Sequence, residues 1–165
     1  MRPKLIVLAW ALAACAIHAQ IVAPDPDWRE TQAPPPPALK LDGLIPLDIP
    51  ESSLRFGVAP ESITIGNDGI VRYVVVARSN SGAMNAMYEG ILCRNGEYKV
   101  YARHNPDSGW VPASDAPWKS LDERPLSRHT RVMARSGACM GHGPSHSAAR
   151  IIQELRAPFG SDTRR

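Results

Sequence analysis

"YEGILCRNGEYKVYA", residues 88–102, alternates apolar and polar residues on either side of Asn95-Gly96. That pair is favoured in two-residue type I′ turns because both positions need positive φ. The stretch therefore predicts an antiparallel hairpin. A two-residue turn sets Arg94 opposite Glu97, Cys93 opposite Tyr98, Ile91 opposite Val100 and Glu89 opposite Ala102, with opposite charges beside the turn. Alternation then gathers Ile91, Cys93, Tyr98, Val100 and Ala102 on one apolar face, and Cys93 is expected to point inward. Its chemistry stays open at this point: nucleophile, metal ligand or half of a disulfide.

Outward from the hairpin, "IVRYVVVAR" at 70–78 is rich in β-branched residues and follows the turn signal Asn67-Asp68-Gly69. It reads as a strand, "AMNAMYEGILCR" at 83–94 as the second and "EYKVYAR" at 97–103 as the third. With Val71 opposite Ile91, Tyr73 meets Glu89 and Val75 meets Met87, continuing the apolar face. The other face collects Arg72, Arg78, Tyr88, Lys99, Tyr101 and Arg103. This basic and aromatic composition suits phosphates or flat ligands, and equally an ordinary solvated sheet face. Arg72, Tyr88, Lys99, Tyr101 and Arg103 are its candidate binding residues. Glu89 falls on the apolar face, where an ionised carboxylate is costly without a partner, and Tyr73 or an arginine is the expected one. A structural hydrogen bond is favoured there over acid–base catalysis, because no second carboxylate or nucleophile stands at motif spacing.

Downstream, "SGWVPASDAPWKSLDE" at 108–123 reads as a loop with a short helical turn near Trp118–Leu121. "PLSRHTRVMARSGAC" from 125 reads as a helix docking through Leu126, Thr130, Val132 and Met133, with Gly137 near its end. "SAARIIQELRAPF" is a second, amphipathic helix with Ala148, Ile151, Ile152 and Leu155 as its stripe and Pro158 beyond its end.

The amino terminus decides which residues reach the fold. A basic Met1–Lys4 segment, the uncharged run "LIVLAWALAA" at 5–14 and small residues after it have the form of a secretory signal peptide over 1–19. The run is shorter than the ~20 residues that span a bilayer. Leu12-Ala13-Ala14-Cys15 resembles a lipoprotein box, with cleavage after Ala14 and lipidation of Cys15. Ile17-His18-Ala19 resembles an ordinary site, with cleavage after Ala19. Ala16 beside the lipidated cysteine suits the outer membrane, so the expected location is the periplasm, with an outer-membrane anchor if Cys15 is modified. Either cut removes Arg2 and Lys4, leaving 17 basic against 16 acidic residues, and the net charge of +3 falls to +1. That weakens any polyanion case, and no nucleic acid is expected. Residues 20–41, with "APPPPA" at 33–38, read as a proline-rich linker in polyproline II form, at about 3.1 Å per residue. A single globular domain follows over 42–157, and 158–165 is expected to be a disordered tail.

Export also bears on the cysteines. Cys93 and Cys139 are the two left in the folded part, and two cysteines in an exported protein most simply pair. Competing readings use the same residues. Cys139, His142 and His146 in "CMGHGPSH" have ligand-like spacing, with Met140 adding a soft sulfur, but Gly141, Gly143 and Pro144 leave the loop without preset geometry. A Cys–His nucleophilic pair with His104 or His129 needs a free thiolate. No metal site is assigned, His142 and His146 remaining weak candidates, and no cofactor is expected. Phosphate-loop, catalytic-serine and zinc-series motifs are absent from the sequence.

"VARSNSGAMNAMYEGILCRNGEYKVYAR", followed by Trp110, Trp118 and a late cysteine, resembles the cryptic neisserial protein-like family of small exported bacterial proteins. The resemblance runs over about residues 60–156 and is most specific in Y-E-G-I-x-C followed by E-Y-K-x-Y-A, here Tyr88–Ala102. It implies an exported domain and assigns no activity. The expected fold is α+β: a small antiparallel sheet of three or more strands packed against C-terminal helices, with one disulfide. The expected role is a non-enzymatic binding or assembly module whose partner is an envelope protein or an anionic envelope component. The alternative is a small periplasmic enzyme or metal-handling protein using Cys139, His142 and His146.

Overall fold

The structure, a computed structural model, describes residues 27–123 and 128–157. The expected signal peptide with Cys15, the helix position Leu126, Pro158 and the expected tail 158–165 lie outside the described residues.

Six strands form an antiparallel meander in sequence order: β1 (Ile45–Leu47), β2 (Arg55–Ile65), β3 (Ile70–Arg78), β4 (Met84–Leu92), β5 (Glu97–Asn105) and β6 (Gly109–Pro112). A two-residue β7 (Lys119–Ser120) pairs with the start of β5, where a helical turn was expected. The C-terminal layer comprises α1 (Arg128–Met133), a π-helical turn (Ala134–Ala138), the small β8/β9 hairpin (Cys139–Met140, Gly143–Pro144) and α2 (Ala148–Arg156). The architecture is therefore α+β, as the sequence implies, with a larger sheet than its three readable strands.

β3 and β4 pair in the predicted register, with Val71 opposite Ile91, Tyr73 opposite Glu89 and Val75 opposite Met87. The β4–β5 turn differs. Leu92 faces Glu97 and Ile91 faces Tyr98, so Cys93–Gly96 is a four-residue connection. Only Gly96 of the Asn95-Gly96 pair has positive φ, at 65°, whereas type I′ needs both. Asn95 N–H bonds the Leu92 carbonyl at 3.2 Å, and the Asn95 side chain donates to Glu97 at 3.0 Å. The shift relative to the predicted register is an even number of residues, so Tyr98 and Val100 keep their expected face. A bulge at Tyr101 then inserts one residue and reverses the alternation beyond it. Ala102 consequently joins the second face, and Arg103 crosses to the first.

The first face is covered over β1–β3 by α1, the π-helical turn and α2. Val58, Val71, Tyr73, Val75, Met87 and Ile91 pack there against Met133, Ala138 and Ile151. The predicted α2 stripe docks as expected, with Ile151 buried and Ala148, Ile152 and Leu155 at its margin. Cys93, carried out of the ladder by the longer turn, bonds to Cys139 with Cα atoms 5.6 Å apart. The disulfide ties the hairpin to the helical layer, and among the described residues no thiolate remains for a nucleophile or a metal.

The second face has its own small core of Ala59, Val74, Val76, Ala86, Tyr88 and Ala102, with Leu39, Leu44 and Trp110 at its edges. Leu39 belongs to the proline-rich segment. From Trp28 onward that segment lies along the sheet, where the sequence suggested a free spacer and an open face. Its anchors are Trp28 Nε1 to the Asp68 carbonyl (2.9 Å), Thr31 to the Asp68 carboxylate, and Trp110 Nε1 to the Pro37 carbonyl (2.8 Å).

Candidate functional site

The helical layer is narrower than the sheet. Over β4 and β5 the first face is left to the β6–β7 loop, and a cavity of about 300 Å³ opens between them. Its floor carries Glu89 and His129, and Arg103 and Lys119 are exposed beside it. Ala116 and Pro117 of the loop form part of its wall.

Glu89 is only 1 % exposed, and the expected buried acid is present with one expected partner and one that sequence reading missed. The Tyr73 hydroxyl donates to Oε2 at 3.0 Å, and His129 Nε2 lies 3.0 and 3.1 Å from the two carboxylate oxygens. His129 stacks on Phe56, with centroids 5.1 Å apart and planes 8° from parallel, which fixes the imidazole from the β2 side. Burial and the adjacent Glu89 charge push the Tyr73 hydroxyl well above its ordinary pKa, so it acts as a donor throughout the accessible pH range. Burial likewise raises Tyr98, with Glu89 adding to the effect. Tyr73 opposite Glu89 was readable from strand register. His129, 40 residues away, had no such signal and was weighed only as a partner for cysteine.

The five candidate residues of the basic face do not form one open surface. Arg72 is 2 % exposed and pairs with Asp68 at 2.7 Å, while Tyr88 is buried with its ring 5.6 Å from that of Tyr101. Lys99 and Tyr101 are half-buried and converge on Glu30, at 3.1 and 2.9 Å, joined by Trp118 Nε1 at 3.1 Å. Arg103 stands on the opposite face, moved there by the bulge. Tyr101 is able to lie flat because position 90 is glycine; a Cβ there would sit 2.7 Å from the tyrosine ring. Burial and the Glu30 carboxylate together raise the Tyr101 hydroxyl pKa, against the opposing pull of Arg72.

Asp68 works under the same face. Burial alone would raise its pKa, but hydrogen bonds from Arg72, Thr31 and the Ile70 amide, with the Arg72 charge, hold it well below the usual carboxylate range. His142 and His146 are exposed, and Cys139 is oxidised, so the three do not form a ligand set. Among the described residues no three metal-binding side chains cluster. His104 packs edge-on against Trp110. No described helix is long and apolar enough to cross a membrane.

The fold and site define a class: a disulfide-linked α+β domain with a cationic cavity over one half of its sheet and its own N-terminal segment over the other face. Residues 23–156 match the CNP1-like family, and the chain belongs to that family. The match takes in the proline-rich segment as well as the sheet and helices. Comparison with the curated proteins and with the solved structures finds no match.

Proposed function

We propose that this protein is exported to the bacterial periplasm and acts there as a non-enzymatic binding module for an anionic envelope component, carried either by a macromolecule or by a small molecule. The observation that carries the reading is the cavity over β4 and β5, where two exposed cations, Arg103 and Lys119, flank a floor whose polar groups are already mutually bonded. Cationic side chains beside a partly desolvated cleft attract anions, and Arg presents a fork suited to carboxylate or phosphate. The Glu89–His129 pair would be the core of an enzymatic reading. However, among the described residues the cavity is lined by no serine, threonine or cysteine, and Glu89 is already engaged by both the Tyr73 hydroxyl and His129 Nε2. Binding is the better-supported use of this arrangement.

Titration calorimetry of the chain with phosphate- and carboxylate-bearing envelope fragments, such as glycerol phosphate and a muropeptide, tests the proposal. At least one fragment should bind, and Arg103→Ser with Lys119→Ser should weaken it about 10- to 100-fold, the worth of one or two charge-assisted hydrogen bonds. Unchanged affinity in the double variant would reject this cavity.

Export is supported by the signal-like leader and by the Cys93–Cys139 bond, which suits an oxidising compartment. Anchoring through Cys15 follows from the lipoprotein box. Radiolabelled palmitate should be incorporated by the wild-type chain in cells and lost completely in Cys15→Ala. Labelling that survives the substitution would sink the anchor.

A further inference from the structure

The basic and aromatic face is occupied by the protein's own residues 28–39, and the manner of occupation is that of a receptor with a ligand. Three donors from two separate parts of the chain meet one carboxylate: Lys99 Nζ and Tyr101 OH from β5, and Trp118 Nε1 from the β6–β7 loop, at 3.1, 2.9 and 3.1 Å from Glu30. These donors also hold one another in place. Lys99 lies 5.5 Å from the Tyr101 ring centroid and 5.8 Å from that of Trp118, and Arg72 lies 5.4 Å from Tyr101 on its own side. The cage is thus built from contacts internal to the domain.

Beside the cage, the Thr31 amide and hydroxyl donate to Asp68 Oδ2 at 3.1 and 2.7 Å. Asp68 is itself oriented by Arg72 and by the Ile70 amide. Further along, Trp110 donates its indole N–H to the Pro37 carbonyl, the kind of hydrogen bond that aromatic grooves offer to polyproline segments. In order, the groove reads an acidic side chain, a threonine and a proline carbonyl. The occupant is itself little buried: none of residues 27–41 is fully buried, and none belongs to a strand or helix. A segment held by half-exposed polar contacts opens more readily than a strand of the sheet.

We propose that this groove is a recognition site for an extended acidic, proline-containing peptide segment of a partner protein, and that residues 28–39 are its resident occupant in cis. Covalent attachment gives the resident segment a high effective concentration, so a partner peptide gains access when the cis segment is released. Lys99 also lines the cavity over β4 and β5, but the Glu30, Asp68 and Trp110 contacts lie outside that cavity and the proposal does not rest on that reading.

The experiment uses the full chain carrying Glu30→Arg, which sets a cation against Lys99 and weakens the cis segment. A fluorescein-labelled synthetic peptide with the sequence of residues 27–40 serves as probe, read by anisotropy. The variant should bind the probe at least tenfold more tightly than wild type does. Replacing the probe's glutamate by alanine, or adding Lys99→Ala to the variant, should each weaken binding at least tenfold. No gain in Glu30→Arg, or a gain indifferent to Lys99, overturns the proposal. Hydrogen exchange on the wild-type chain supplies a readout that does not depend on the variant's folding. The Thr31 amide should exchange at least 100-fold faster than amides of β3 and β4, and equal protection would make the segment a fixed part of the fold. Self-association of the wild-type chain that the probe dissolves would assign the groove to a second copy instead and overturns the partner reading.

Discussion

Loss of the Cys93–Cys139 bond, through Cys93→Ala with Cys139→Ala, is expected to lower the unfolding free energy by about 4 kcal/mol. The bond closes a sequence separation of 46 residues, and the loop-closure entropy it removes from the unfolded chain corresponds to roughly 4 kcal/mol at 25 °C. Its position makes the effect more than a general restraint. Cys93 sits in the β4–β5 turn at the open end of the sheet, and Cys139 leads out of the π-helical turn that packs on α2. The bond joins the two layers where the hairpin turns. Thermal melting should shift down by roughly 10–20 °C, the change such a free energy produces in a domain of this size. Exchange protection in α1 and α2 should fall before that of β3 and β4, because the sheet keeps its ladder while the helical layer loses its covalent tie. A melting temperature within 2–3 °C of wild type would show that the unfolded chain gains no freedom from the lost bond.

What the sequence made legible followed from local pattern. The β3–β4 register could be read because Val71, Tyr73, Val75, Met87 and Ile91 alternate with little interruption, and the disulfide because the expected leader set Cys15 apart and left two cysteines. β2 was missed because Pro60 and Glu61 break its pattern. The structure absorbs them in an irregularity between Ala59 and Thr64, where the Ser62 hydroxyl donates to the Ala59 carbonyl and accepts from the Val74 amide. The β4–β5 turn was misread because Asn-Gly satisfies a two-residue turn locally, whereas Gly96 alone takes positive φ and Cys93 is needed outside the ladder. The bulge at Tyr101 has no one-residue signature. It nevertheless decides that Arg103 stands over the Glu89 cavity instead of on the face of Tyr88.

The candidate sites were less legible for a related reason. Each is assembled from residues far apart in sequence whose individual chemistry is ordinary: Glu89 with His129, Glu30 with Trp118, Thr31 with Asp68. Composition placed cations and aromatics on the second face, from which the bulge removes Arg103. It offered no means of seeing that the acidic and prolyl groups completing it come from the segment read as a spacer.

Asp68→Asn is expected to cost about 3–5 kcal/mol, the usual consequence of stranding one member of a buried ion pair. Arg72 is 2 % exposed and lies beneath Tyr101, so its charge has no route to water once the carboxylate is neutralised. The substitution preserves shape and isolates charge as the cause. Adding Arg72→Met should restore much of the loss, because a well-packed apolar residue often replaces a buried pair at little cost, and the double-mutant cycle should show strong coupling. The same pair sets an acid limit. The folded-state pKa of Asp68 lies below its unfolded value of about 3.9, so its stabilisation is complete above that value and is lost as pH falls through it toward the depressed folded pKa. Urea unfolding of the wild type should therefore lose stability below about pH 4 with a slope contribution approaching 1.4 kcal/mol per pH unit from this one group. In Asp68→Asn with Arg72→Met that contribution should vanish while any due to other carboxylates remains. An identical acid slope in the two proteins would place the acid sensitivity elsewhere. Because Asp68 also accepts from Thr31, retention of the N-terminal segment is linked to the charge of a residue beneath the sheet face it covers, a charge the folded protein keeps well below pH 4.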